Sequence, residues 1–96
     1  MAKSYSTGPI REFMDQLSSL ERFKENNQES FDSLTEREVE VLSLIGEGKN
    51  NPAIAKQLDI TRTTVQNHRA NIREKLNVNK QTDFVKYALA YDLIQF

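Results

Sequence analysis

The stretch PAIAKQLDITRTTVQNHRANI, residues 52–72, falls into two apolar-periodic segments around a short break. Residues 52–58 place Ile54, Ala55 and Leu58 on one helical face. Asp59-Ile60-Thr61 is too short for anything but a tight turn. Thr61 then caps a longer helix that reaches about Leu76, with Val65, Ile72 and Leu76 facing inward. A short helix, a three-residue turn and a longer helix make a helix-turn-helix. Ala55 is small where the two helices approach most closely, and Ile60 plugs the space under the turn.

Working outward, Asn51 reads as the cap of the short helix and Pro52 as its first residue. Upstream, Thr35 and Glu38 have the spacing of a capping box, with Leu34 and Val39 as its hydrophobic staple. Val39, Leu42 and Ile45 give that helix an inward face, and Gly46 and Gly48 supply its stop. Downstream, Asn77 suits a left-handed stop. A further helix is expected from about Thr82 to Tyr91, followed by an apolar tail of Leu93, Ile94 and Phe96. At the other end, residues 1–8 are expected to be disordered. Pro9 then opens an amphipathic helix over about residues 9–25, with Ile10, Phe13, Met14, Leu17 and Leu20 in register and Phe23 just beyond. NNQESFDS, residues 26–33, reads as a polar linker. The expected domains are therefore an N-terminal helix and linker over 1–33 and a helix-turn-helix domain over 34–96.

Bulk composition narrows the function. The chain has 96 residues, 38% of them hydrophobic, which allows only a small core. It has no cysteine, so disulfides, thiolate metal sites and cysteine nucleophiles are excluded. No apolar run approaches a membrane span and no signal-peptide h-region is present, which points to a cytoplasmic protein. Net charge is −1, but it is unevenly placed: residues 49–80 hold seven Lys/Arg against two Asp/Glu. A basic block in an otherwise acidic chain is a usual footprint of polyanion contact, and an ordinary solvated face is the competing reading. His68 is the only histidine and has no partners for catalysis or for a metal, so it is expected to pack within the helix pair. No nucleophile–base set, phosphate loop or metal cluster supports an enzyme, and no cofactor is implied.

The outward face of the helix from Arg62 carries the chemistry. A recognition helix enters the major groove with its N-terminal residues toward base edges. Gln66 and Asn67 can bond bidentately to adenine, and the methyl groups of Thr63 and Ala70 can meet that of thymine. Arg62, Arg69, Arg73 and Lys75 can neutralise phosphates.

The run LTEREVEVLSLIGEGKNNPAIAKQLDITRTTVQNHRANIREKLNV, with its tail TDFVKYALAYDLI, closely resembles the LuxR/FixJ-type helix-turn-helix domain of bacterial response regulators. Leu34-Thr35, Arg37-Glu38, Glu40-Val41-Leu42, Gly48, Asn51, Ile54-Ala55, Thr64-Val65, His68, Asn71-Ile72 and Lys75-Leu76 all match the family look, over two thirds of the chain. The resemblance implies an all-α fold, a four-helix bundle whose third helix reads the major groove, here preceded by an extra amphipathic helix. It places base contacts at Gln66, Asn67 and Ala70 and phosphate contacts at Thr64, Arg69 and Lys75. It implies dimerisation through the last helix, and so through Phe84, Tyr87, Ala88 and Tyr91. The departures are Gln66 for a frequent Lys, Pro52-Ala53 for a commoner Lys-Glu, Gln81 for Arg, Asp92 for Gly, and Asp59 at a turn position often given to Gly. They imply an altered sequence preference.

The expected function is a sequence-specific DNA-binding transcription regulator, a homodimer on an inverted-repeat operator, with RNA polymerase as a further partner. The alternative is a protein-interaction module that keeps the fold and regulates another transcription factor. A third reading, a sigma-factor-like promoter-binding domain, is disfavoured by the His68–Asn71 pair and the last helix. Domains of this family usually follow a receiver or ligand-binding domain, which 96 residues cannot also hold; the chain is thus read as a stand-alone regulator or a fragment. The extra N-terminal helix is assigned to dimerisation or linkage.

Overall fold

A computed structural model describes residues 8–95, and it is all-helical there: α1 Gly8–Asp32, α2 Glu36–Gly46, α3 Asn51–Leu58, α4 Arg62–Leu76 and α5 Gln81–Ala90. Helices α2 to α5 form a four-helix bundle and α1 is the extra helix before it. The expected disorder of residues 1–8 and the packing of Phe96 lie outside the described residues, except that Gly8 opens α1.

Local chemistry sets most helix ends. Thr35 Oγ1 accepts from the Glu38 backbone N–H at 3.1 Å, and Glu38 Oε1 accepts from the Thr35 N–H at 2.9 Å, closing the capping box on α2. Thr61 caps α4 by accepting from the Thr64 N–H at 3.1 Å. Asp59 and Asn77 end α3 and α4 in the left-handed region, at φ 56° and 55°, where short polar side chains are tolerated. Gly48 takes φ +89° between α2 and α3, which only glycine adopts cheaply. The α3 cap is Asn50 rather than Asn51: the Asn50 side chain accepts from the Ala53 N–H at 3.0 Å, and Asn51 is already helical.

The core is built where these helices cross. Val41, Leu42, Ile45, Ile54, Val65, Ile72 and Phe84 are fully buried, and Leu76, Val78 and Tyr87 close its edges. Val39, expected inside, is only half-buried, and Val41 takes the inner position. Gly46 lies so close to α5 that a Cβ there would sit 2.6 Å from the Ala88 Cβ. It therefore serves close packing of α2 on α5, while Gly48 makes the turn.

α1 departs most from expectation. It does not stop at residue 25; the stretch expected as a linker continues the helix to Asp32. Tertiary contacts outweigh its polar composition. Phe23 meets Tyr87 edge-on at 4.7 Å, and Phe31 stacks on Tyr91 at 3.9 Å. Tyr87 donates its hydroxyl to Asn27 Oδ1 at 3.0 Å, and Tyr91 donates to the Lys24 carbonyl at 2.6 Å. Tyr87 of α5 and Tyr91, the residue that follows that helix, thus hold the C-terminal half of α1.

Candidate nucleic-acid interface

α4 starts with its cap chemistry. The Thr61 and Thr64 hydroxyls lie 2.8 Å apart, so Thr64 is engaged with the cap and is half-buried. With Val65 and Ile72 fixed in the core, the 3.6-residue repeat sends Arg62, Thr63, Gln66, Asn67, Ala70 and Arg73 outward, and each is exposed. The four residues expected to touch bases form one continuous edge on the first half of the helix. Asp59, in the left-handed conformation, turns the chain so that this edge stands beyond α3.

The basic residues divide into three environments. Arg62 is exposed at the start of α4. Arg69 is half-buried with its guanidinium 5.6 Å from the centre of the Phe84 ring, a cation–π contact that fixes its direction. Burial and then the neighbouring charge of Arg73 pull Arg69 below the ordinary arginine pKa. Arg69 and Arg73 share a polar cleft with Lys49, Asn50, Asn51 and Gln81. The cleft joins the α2–α3 loop, the start of α3, α4 and the start of α5.

Lys75 is different. Its Nζ lies 2.7 Å from Glu38 Oε1, and Glu38 is only 3% exposed. Burial pushes the Glu38 carboxyl up, but the bonds from Lys75 and the Thr35 N–H, the charge of Lys75 and the Thr35 hydroxyl together hold it below its ordinary value. Lys75 therefore braces α4 against α2. His68 is half-buried in the same helix.

The residues expected to dimerise lie elsewhere. Phe84, Tyr87 and Ala88 are buried inside the chain, and Tyr91 is half-buried under Phe31. Phe84 underlies Arg69, Tyr87 meets Phe23, and Ala88 faces Gly46. In this chain Phe84, Tyr87 and Ala88 pack against α1, α2 and α4 and are buried, and Tyr91 keeps part of its surface. Sequence reading missed the cleft, since its walls come from four elements. The available signal was Asn50-Asn51-Pro52 beside Lys49, a helix start flanked by a cation.

Nothing in α1 obstructs the reading edge. Phe23, Asn27 and Ser30 line a hollow with Leu76, Asn77 and Val78, at the far end of α4 from Gln66. No helix among the described residues is long and apolar enough to cross a membrane.

Known proteins resemble this chain in sequence. The chain is 39% identical to the response regulator protein VraR of Staphylococcus saprophyticus over 93 residues, covering 97% of this chain and 44% of that protein. It is 34% identical to the oxygen regulatory protein NreC of Staphylococcus epidermidis over 91 residues, 95% of this chain and 41% of that one. It is 44% identical to the uncharacterized response regulatory protein YgeK of Escherichia coli over 68 residues, 71% of this chain and 43% of that one. The chain thus spans less than half the length of these relatives. The family model for bacterial regulatory proteins of the luxR type matches residues 32–88, which hold α2 to α4, most of α5, the caps at Thr35, Asn50 and Thr61 and the exposed edge of α4. With the bundle, the turn at Asp59 and that edge, the chain belongs to the luxR family of bacterial regulatory proteins.

Proposed function

We propose that the chain is a sequence-specific DNA-binding transcription regulator that acts in the cytoplasm without catalysis or cofactor. The carrying observation is the exposed edge Thr63, Gln66, Asn67 and Ala70, flanked by Arg62 on one side and the Arg69–Arg73 cleft on the other. In this reading the edge enters the major groove. Gln66 and Asn67 hydrogen-bond to base edges, and Thr63 and Ala70 pack on thymine methyls. Arg62, Arg69 and Arg73 seat on phosphates, with Thr64 beside them. Lys75, committed to Glu38, contributes to phosphate binding mainly by holding α4 in place. The relatives' description as response regulators supports control of transcription. Two copies on an inverted repeat, with RNA polymerase as a further partner, complete the proposal.

Fluorescence anisotropy of a labelled duplex across a salt series tests it. Each neutralised phosphate contributes about −0.9 to the log–log slope, so binding to mixed-sequence DNA should give roughly −3 to −7. Arg73→Ala should make the slope shallower by roughly one unit on every sequence. Gln66→Ala should leave the slope alone and change the preferred sequence, at a cost of about 1–3 kcal/mol on the best site. A folded, helical sample that does not bind even at low salt would overturn the proposal.

A further inference from the structure

Two cations of α4 are fixed in different ways. Lys75 is held by a carboxylate: its Nζ lies 2.7 Å from Glu38 Oε1, so its charge and one donor are spent inside the chain. Arg69 is held by a ring. Its guanidinium carbon sits 5.6 Å from the centre of Phe84, and among the described residues no carboxylate stands within ion-pair distance of it. A ring face attracts a cation without occupying an N–H, so the planar fork of donors stays available to an anion. Burial and the like charge of Arg73 both work against this guanidinium. The ring beneath it cannot yield. Phe84 is 1% exposed in the core, and three residues earlier Gln81 Nε2 donates to the Ile45 carbonyl at 2.7 Å. That bond ties the first turn of α5 to the end of α2.

We propose that Phe84 is the positioning residue of Arg69 in DNA binding: the ring holds the guanidinium at its phosphate position before DNA arrives. An arginine that swings freely in water gives up its rotamer freedom on binding, which lowers affinity by a factor of roughly two to ten. Arg62, exposed at the start of α4, loses that freedom on the duplex. Arg69, half-buried over Phe84, has lost it on folding. Phe84 is too deeply buried to reach a base or a phosphate, so it acts only through Arg69. Its effect is therefore on affinity for every sequence alike and not on preference, since phosphate contacts carry no base information. This inference rests on the DNA-binding reading, but its first measurement uses no DNA, so the two can fail separately.

The first measurement is nitrogen-15 relaxation of the arginine Nε–H groups in the wild-type chain, free and then with a duplex. Arg69 should be ordered in the free chain and change little on DNA, whereas Arg62 should become ordered only when DNA is added. The second is a cycle of variants read by fluorescence anisotropy, each checked for helicity by circular dichroism. Arg69→Ala should weaken binding in the wild type, and in a Phe84→Leu background the same change should weaken it by a factor smaller by roughly two to ten. Arg62→Ala should cost the same factor in both backgrounds. An Arg69 as mobile as Arg62 in the free chain would overturn the proposal. So would an equal loss from Arg69→Ala in both backgrounds, which would leave Phe84 a core residue and nothing more. If Phe84→Leu does not fold, the relaxation of the wild type still decides. A rigid Arg69 in a chain that binds no duplex would overturn the DNA reading and the role of Phe84 with it, whereas a mobile Arg69 in a chain that binds would overturn this inference alone.

Discussion

Glu38 is the one buried charged side chain among the described residues, and its Oε1 accepts from both the Thr35 N–H and Lys75 Nζ. Its folded pKa lies below its ordinary value of 4.5, so folding favours the carboxylate. The stability this supplies is present above 4.5 and is lost as pH falls through the lowered folded value. Thermal melts as a function of pH should therefore fall off on the acid side, and Glu38→Gln should flatten that limb. Lys75→Met leaves the carboxylate buried without its cation and should cost about 1–3 kcal/mol, measured by urea denaturation. Lys75 is a third exposed on its side chain, which keeps the figure at the lower range for a broken buried pair. If Lys75→Met instead left stability unchanged and weakened DNA binding alone, the lysine would be a phosphate ligand and not a brace. The Thr35–Glu38 half of this cluster is readable in sequence because its partners are three residues apart. The Lys75 half is not: it joins residues 37 apart, and only the packing of α4 on α2 brings them together.

Helix starts and stops followed from single residues, because caps and left-handed stops are local. Thr35, Thr61, Asp59 and Asn77 all act where their side-chain chemistry places them. Asn50 and Asn51 could each cap α3, and only the geometry chooses Asn50. What faces a helix is a different kind of fact. The resemblance implies that Phe84, Tyr87, Ala88 and Tyr91 face a partner copy; in the single chain the first three are buried against α1, α2 and α4. The same unread contact lengthens α1, since Asn27 finds Tyr87 of α5 and Phe31 finds Tyr91 just beyond it, partners that periodicity alone cannot reveal. Gly46 tests how tightly the elements meet. On an exposed helix, Gly→Ala would stabilise by up to about 1 kcal/mol. Here the new Cβ would lie 2.6 Å from the Ala88 Cβ, a short side chain with no rotamer to yield. Gly46→Ala should thus destabilise by about 1–3 kcal/mol, seen as a lower denaturation midpoint. Unchanged or increased stability would mean that α2 and α5 separate easily.

At the scale of the whole molecule, two ends behave differently. The described chain extends 60 Å along its longest axis but only 27 and 19 Å across it, and the projecting half of α1 lies off the bundle. The Phe23–Phe31 half is tied to Tyr87 and Tyr91 by stacking and hydrogen bonds, so its amides open only with the bundle. The Pro9–Gln16 half has exposed side chains throughout, and a few helical turns alone in water are marginal. Amide hydrogen exchange should therefore divide α1 in two. In dilute solution, residues 10–16 should exchange orders of magnitude faster than residues 23–31, although both belong to one helix. Fast exchange at both ends of α1 would mean that the helix is not held by Tyr87 and Tyr91. Slow exchange at residues 10–16 would mean that this half of the helix is stable on its own.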